Sequence, residues 1–108
     1  MQFEVQMWAF TESKDDLKKR TVEIPSHDIR EFNKGNTFHK LGMIYYYGQN
    51  DFQPRECPSV SMGDVIELDN ELWLVKASGF RKLMLDEFQK YISLSQRDRH
   101  FHPLLWET

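Results

Sequence analysis

The sequence cannot form an internal disulfide, because Cys57 is the only cysteine among its 108 residues. Chains without disulfides are typical of a reducing compartment, so we expect a cytoplasmic protein. No apolar run approaches the roughly 18 residues of a membrane span. The first residues also lack the basic and then apolar pattern of a signal peptide. We therefore expect no membrane partner.

A basic cluster is also missing. The chain has 14 basic and 17 acidic side chains, a net charge of -3, and neither half of the sequence is basic. Nucleic-acid-binding domains concentrate lysine and arginine on one face or along one helix. This balance argues against a nucleic-acid partner, and the acidic excess is too small for a mimic of DNA.

The usual catalytic motifs are absent. There is no glycine-rich phosphate loop, no serine-centred elbow and no paired-carboxylate motif. A nucleophilic Cys57 would need a lowered pKa, whereas its neighbour Glu56 would raise it. We predict no cofactor and no metal site, and the sequence leans against an enzyme.

What is present is globular. Apolar residues make up 40% of the chain, charged residues 29% and aromatic residues 14%. This composition and length predict a single domain over residues 1–108, whose core contains many rings.

Periodicity predicts the elements. "QFEVQMWAF" and "TVEIP" alternate as strands, separated by the charged loop "TESKDDLKKR". "SHDIREFNKGN" and "LDEFQKYISLSQ" favour helices. "LGMIYYYG" is rich in β-forming residues and predicts a central strand. "DVIELDNELWLVKA" predicts a hairpin with a type I′ turn at Asp69 and Asn70.

This order predicts an α+β fold. We expect a mostly antiparallel sheet of about five strands with two helices, in a β-grasp-like arrangement. A small PUA-like β-barrel is the alternative.

The segment "RDRHFHPLLWET" holds the first candidates for chemistry. In an extended segment His100 and His102 would point the same way. Two imidazoles could then act as an acid–base pair on a phosphodiester, or contribute to a metal site. Arg97 and Arg99 could instead hold a phosphate by charge-assisted hydrogen bonds.

The aromatic residues are the second candidate. Tyr45, Tyr46 and Tyr47, with Trp8, Phe10 and Trp73, are more rings than one small core readily hides. An exposed aromatic patch would mark a partner surface or an interface between copies of the chain.

The stretch "SVSMGDVIEL", followed by "LWLVKASGF", resembles the YodL-like domains, a group of small proteins of phages and mobile elements. Those domains carry a Ser-Val-Ser-x-Gly-Asp-Val-Ile stretch, a hairpin with an aromatic return strand, and then Gly-Phe. The resemblance implies an accessory gene product rather than a metabolic enzyme, and it implies no catalytic residue. Its specific part runs from Ile44 to Phe80, and the matching residues are Ser59, Val60, Ser61, Gly63, Asp64, Val65, Ile66, Gly79 and Phe80.

Turn chemistry explains much of that stretch. Ser59 and Ser61 can bond to neighbouring backbone groups, Gly63 can take a positive φ, and Asp64 can accept amide hydrogens. The preceding "GQNDFQPREC" has no such explanation. Its side-chain amides and guanidinium suit a polar ligand. Together with the two arginines of the later segment, the predicted contact residues are Gln49, Asn50, Gln53, Arg55, Arg97 and Arg99.

Together these features predict a small non-enzymatic binding protein of phage or mobile-element origin. It would bind a host protein in the host cytoplasm or sequester a nucleotide-like ligand, with counter-defence as a hypothesis. One alternative is a phosphodiesterase or nuclease that uses His100 and His102. The other is a PUA-like nucleic-acid-binding domain.

Overall fold

The computed structural model describes residues 1–49 and 58–107. Its strands are β1 (Gln2–Gln6), β2 (Lys19–Glu23), β3 (Val65–Leu68), β4 (Glu71–Val75) and β5 (Phe80–Leu83). Its α-helices are α1 (Ile29–Lys34), α2 (Thr37–Tyr47), α3 (Leu85–Ile92), α4 (Gln96–His100) and α5 (Pro103–Trp106). Single 3₁₀ turns cover Trp8–Phe10, Lys14–Asp16 and Ser26–Asp28.

The five strands form one sheet in the order β2-β1-β3-β4-β5, and every neighbouring pair is antiparallel. The predicted α+β class and five-stranded sheet are therefore confirmed. The sheet is open, with β2 and β5 at its edges, so the alternative of a closed PUA-like barrel is wrong. In the described residues the sheet is accompanied by more helices than the two that the sequence predicted.

Helices cover both faces of the sheet. On one face, side chains of β1, β3 and β4 form a core with α1 and α2, which contribute Phe32, Leu41 and Ile44. On the other face, Val65 and Leu74 pack with residues that follow the sheet, such as Tyr91 and Leu105. Because successive side chains of a strand point to opposite faces, β3 and β4 supply both cores at once.

The β3–β4 hairpin has the predicted turn. Asp69 and Asn70 have φ angles of 52° and 63°, which is the left-handed geometry that a type I′ turn requires at both central positions. Gly63 and Gly79 also have positive φ, at 100° and 88°. The predicted role of Gly63 as a turn residue is confirmed, and Gly79 lies between the end of β4 and the start of β5.

The predicted central strand "LGMIYYYG" is wrong, because these residues form most of helix α2. Asn36 caps the helix, and its side chain accepts a hydrogen bond from the backbone N–H of His39 at 2.8 Å. Leu41, Ile44 and Tyr47 are buried at a spacing of three residues, which a helix face permits and a strand does not. The fifth strand is instead β5, which the sequence pattern did not predict.

Strand β1 is also shorter than the alternating pattern suggests. It ends at Gln6, and Trp8–Phe10 turns away from the sheet as a 3₁₀ turn. Trp8 is buried in the second core, whereas Phe10 is exposed. In the described residues no helix combines the length and apolar character that a membrane crossing requires.

Candidate functional site

The predicted contact residues of the long polar loop divide into two groups. Asn50, Gln53 and Arg55 lie outside the described residues and stay predictions. The side chain of Gln49 donates hydrogen bonds to the backbone carbonyls of Tyr45, at 2.8 Å, and Val60, at 3.1 Å. The amide of Gln49 therefore ties the end of α2 to the chain that precedes β3.

The two predicted arginines lie in different environments. Arg97 is exposed on α4. Arg99 is only 2% exposed, and its guanidinium donates to the backbone carbonyls of Thr11 and Leu94. It also lies over the ring of Trp8, 5.3 Å from the ring centroid. Burial lowers the pKa of Arg99, and its hydrogen bonds are made inside the protein rather than with an external anion.

The expectation that His100 and His102 lie in one extended segment is wrong. His100 is the last residue of α4, whereas His102 caps the N-terminus of α5. The Nδ1 atom of His102 accepts the backbone N–H of Leu104 at 3.1 Å. Catalysis by this pair stays a prediction. Among the described residues no group of three His, Cys, Asp or Glu side chains is arranged to hold a metal ion.

Asp64 is the most strongly perturbed carboxyl group in the described residues. It is fully buried, and its two oxygens accept the backbone N–H groups of Ala9, at 2.8 Å, and Ser61, at 2.9 Å. Burial raises the pKa of Asp64 to about 7, and the two amide hydrogen bonds oppose that rise. The predicted role of Asp64 as a turn acceptor is confirmed, and its second contact reaches back to the 3₁₀ turn after β1.

Exposed rings lie together on helix α2. Phe38 is 57% exposed, Tyr45 38% and Tyr46 54%. At 100° per residue these rings and Gly42 occupy about one quarter of the helix circumference. We call this surface, formed by Phe38, Gly42, Tyr45 and Tyr46, the α2 face.

A groove runs along the α2 face where α1 approaches α2. Its volume is about 420 Å³, and we call it the α1–α2 groove. Gly42 lies within it, and a Cβ added at that position would meet no atom within 4 Å. The rings of Tyr46 and Tyr47 stand almost perpendicular, at 82°, with their centroids 5.0 Å apart. The groove is lined by Asp28, Glu31, Phe38, His39, Gly42, Met43, Tyr46 and Tyr47.

Two carboxylates give the groove its charge. Asp28 accepts a hydrogen bond from the hydroxyl of Tyr47, and this bond raises the pKa of Tyr47 to about 12. Glu31 lies on the exposed side of α1, with its Oε1 atom 3.7 Å from Nε2 of His39. No lysine or arginine is among the described residues that line the groove.

Two further hollows have other characters. One, of about 510 Å³, lies beyond the ends of β4 and β5 and is bordered by Tyr45, Phe80 and Trp106. The other, of about 710 Å³, is bordered by the exposed Phe10 and by the acidic residues Glu12, Asp15 and Asp16. The α1–α2 groove differs from both because it combines two carboxylates with a pair of aromatic rings that stand at right angles to each other.

The sequence pointed to the tyrosines but not to this site. Phe38, Gly42 and Tyr46 are spaced by four residues, which places them on one side of a helix, whereas a strand would scatter Tyr45 and Tyr46 to opposite faces. The signals that identify the helix are the capping residue Asn36 and the spacing of its buried residues.

Comparison of the chain with protein-family models, with curated proteins and with solved structures gives no significant match.

Proposed function

We propose that this protein is a non-enzymatic binding protein that engages a partner protein through the α2 face. The observation that carries the proposal is the clustering of exposed rings at Phe38, Tyr45 and Tyr46, although the same fold buries other rings completely. Aromatic side chains are enriched at the centres of protein interfaces because each supplies a large rigid contact area at low entropic cost.

The choice between a protein partner and a nucleotide-like ligand follows from the arginines. A phosphate held through arginine needs guanidinium donors that face solvent, whereas Arg99 directs its donors to the carbonyls of Thr11 and Leu94. Arg97 is exposed on α4. The exposed rings of α2 therefore give a protein partner more support than a nucleotide.

The resemblance to YodL-like domains supplies the biological setting of the proposal. The partner would be a protein of the host in which the phage or mobile element resides, and the chain would work in the host cytoplasm. Counter-defence is the role that this origin suggests, because accessory proteins of mobile elements gain from blocking a host component.

The test places a photo-crosslinking amino acid at position 38 or 46 and, as a matched control, at the exposed position 101. We expect one host protein to crosslink from positions 38 and 46 but not from position 101. The double variant Phe38→Ser/Tyr46→Ser should bind that protein at least about 30-fold more weakly, the loss expected for interface hot spots. Phe101→Ser should bind like the native chain.

Circular dichroism would verify that the variants are folded, since Phe38 also contacts Trp73, with ring centroids 5.6 Å apart. Binding that survives in the folded double variant would exclude the α2 face as the interface. Crosslinks that join two copies of the chain would show that the α2 face mediates self-association and does not bind a host protein.

A further inference from the structure

We propose that the α1–α2 groove binds an arginine side chain presented by the partner protein. This inference rests on the proposed function and names the chemical group that the site recognises. Three features of the groove carry it: the charge of its lining, the exposed rings at its border and the open space above Gly42.

The charge of the groove selects a cation. Asp28 and Glu31 both line it, and the described lining residues include no lysine or arginine. The basic groups near the two carboxylates are imidazoles, with Nε2 of His27 3.9 Å from Asp28 and Nε2 of His39 3.7 Å from Glu31. The Asp28 carboxylate accepts the Tyr47 hydroxyl, yet an ionised carboxylate has about four acceptor sites and can bond further donors. Glu31 is exposed, so its carboxylate is within reach of an incoming group.

The rings make the groove suitable for a delocalised cation. Tyr46 is 54% exposed where it borders the groove, whereas Tyr47 is buried and directs its hydroxyl to Asp28, so Tyr46 is the tyrosine ring that a ligand can reach. A cation is attracted to the face of an aromatic ring, and the planar guanidinium of arginine also stacks on it. Phe38, 57% exposed, borders the same groove one helical turn from Gly42.

The glycine leaves room for the ligand. Glycine in a helix interior is about 1 kcal/mol less favourable than alanine. Neither of the usual reasons for glycine applies at Gly42, because its φ is not positive and no neighbour crowds the site of its Cβ. A side chain there would occupy the floor of the groove. Glycine at this position therefore leaves space that a bound guanidinium and its aliphatic stem would fill.

Arginine fits this site better than lysine. A guanidinium carries five donors in a planar fork, so it can bond to a carboxylate and lie against a ring together. The ammonium of lysine is a compact and strongly hydrated charge that loses more hydration on entering an aromatic groove. We therefore assign the groove to an arginine within an exposed segment of the partner.

The experiment titrates the full chain, labelled with ¹⁵N, with the capped peptide Gly-Arg-Gly and follows the backbone amide signals by NMR. Matched probes carry citrulline, which keeps the shape and loses the charge, or lysine. We expect the arginine peptide to shift amide signals of α1 and α2, the lysine peptide to bind at least about threefold more weakly, and the citrulline peptide to cause no saturable shift.

Three variants locate the binding. Glu31→Gln and Tyr46→Ala should each weaken the arginine peptide about three- to tenfold, the size expected for one exposed charge or cation–π contact. Gly42→Leu, which fills the groove floor, should abolish binding. Asp15→Asn, which changes an exposed carboxylate that lines the hollow near Phe10 and not the groove, should leave the affinity unchanged.

Equal shifts by the arginine and citrulline peptides would refute recognition of charge, and equal binding of lysine would refute the assignment to a guanidinium. Unchanged affinity in Glu31→Gln and Gly42→Leu would move the binding elsewhere. The titration needs no host partner. If the groove binds the arginine peptide but the host partner does not contact the α2 face, the proposed function is overturned and the arginine site is not.

Discussion

Side chains from distant parts of the chain bond to three backbone groups of the 3₁₀ turn Trp8–Phe10 and of Thr11, the residue after it. Asp64 accepts the N–H of Ala9, Gln96 donates to the carbonyl of the same residue, and Arg99 donates to the carbonyl of Thr11. A hydrogen bond from a charged group such as the Arg99 guanidinium contributes about 1.5–3 kcal/mol to stability, and one between neutral groups, such as that from Gln96, about 0.5–1.5 kcal/mol. This short turn is therefore fixed by residues that precede β3 and by residues of α4.

Asp64 should make the stability of the protein depend on pH. Its pKa rises from an ordinary value of 3.8 in the unfolded chain to about 7 in the folded protein. Because the folded state holds the proton more tightly, the contribution of Asp64 is complete below the unfolded pKa and is lost as the pH rises to about 7. We expect Asp64→Asn to destabilise the protein by about 2 kcal/mol more near pH 5 than near pH 8.

Urea denaturation of both proteins at the two pH values measures this difference. Asp15→Asn serves as the control, because an exposed carboxylate should change stability by a similar small amount at both pH values. A destabilisation that grows toward pH 8 would mean that the amide hydrogens of Ala9 and Ser61 outweigh burial and favour the carboxylate.

At the scale of elements, Gly42 in helix α2 and Gly79 between β4 and β5 both have open space around them but differ in backbone conformation. A Cβ added at Gly42 or at Gly79 would meet no atom within 4 Å, yet only Gly79 has a positive φ, of 88°. Gly42→Ala should therefore raise the free energy of unfolding by about 1 kcal/mol through helix propensity. Gly79→Ala should lower it by about 1 kcal/mol, because a Cβ is strained in the left-handed region.

Chemical denaturation of the two alanine variants beside the native chain provides the measurement. The opposite signs are the informative part, since both variants add the same methyl group. A loss of stability in Gly42→Ala would show that the helix needs glycine for its own packing, and would remove one support from the arginine site.

Sequence patterns predicted the elements whose signals are local. The β3–β4 hairpin follows from two alternating runs around Asp69 and Asn70, and α3 follows from its apolar spacing. Helix α2 was missed because its run of tyrosines and Ile44 favours a strand by propensity, while packing against the sheet decides for a helix. The α1–α2 groove was missed with it, since its walls come from two helices whose contact is tertiary.

Arg99 shows the same limit for a single residue. Arg97 and the histidines near it in the sequence favour an anion site, and only the fold shows that the guanidinium of Arg99 points inward to the carbonyls of Thr11 and Leu94. Gln49 likewise bonds to backbone that the sequence cannot place near it. Every residue type has a main-chain carbonyl, so the sequence does not indicate which residue accepts a hydrogen bond of this kind.

At the scale of the whole molecule, the two cores should unfold together. They lie on opposite faces of one sheet, and β3 and β4 contribute side chains to both. Trp73 belongs to one core and Trp8 to the other, while Trp106 is exposed. In a Trp106→Phe background, the further change Trp8→Phe leaves a fluorescence probe of the first core, and Trp73→Phe leaves a probe of the second.

We expect the fluorescence midpoint in urea to match the midpoint from far-ultraviolet circular dichroism within each of these variants. The comparison is made inside one variant, so the stability lost with each tryptophan does not affect it. Fluorescence from one core that changes at lower urea than the circular dichroism would identify that core as a separate unfolding unit.

The bonds from Arg99 and Gln96 to main-chain carbonyls also bear on how the sequence can drift. A carbonyl is the same in every residue type, so the positions that accept these bonds, Thr11, Leu94 and Ala9, are not constrained by them. Selection would act on the donor alone. In a set of diverging relatives the arginine would stay fixed while its partners vary, and methods that infer contacts from correlated substitutions would not detect the link between α4 and the first 3₁₀ turn.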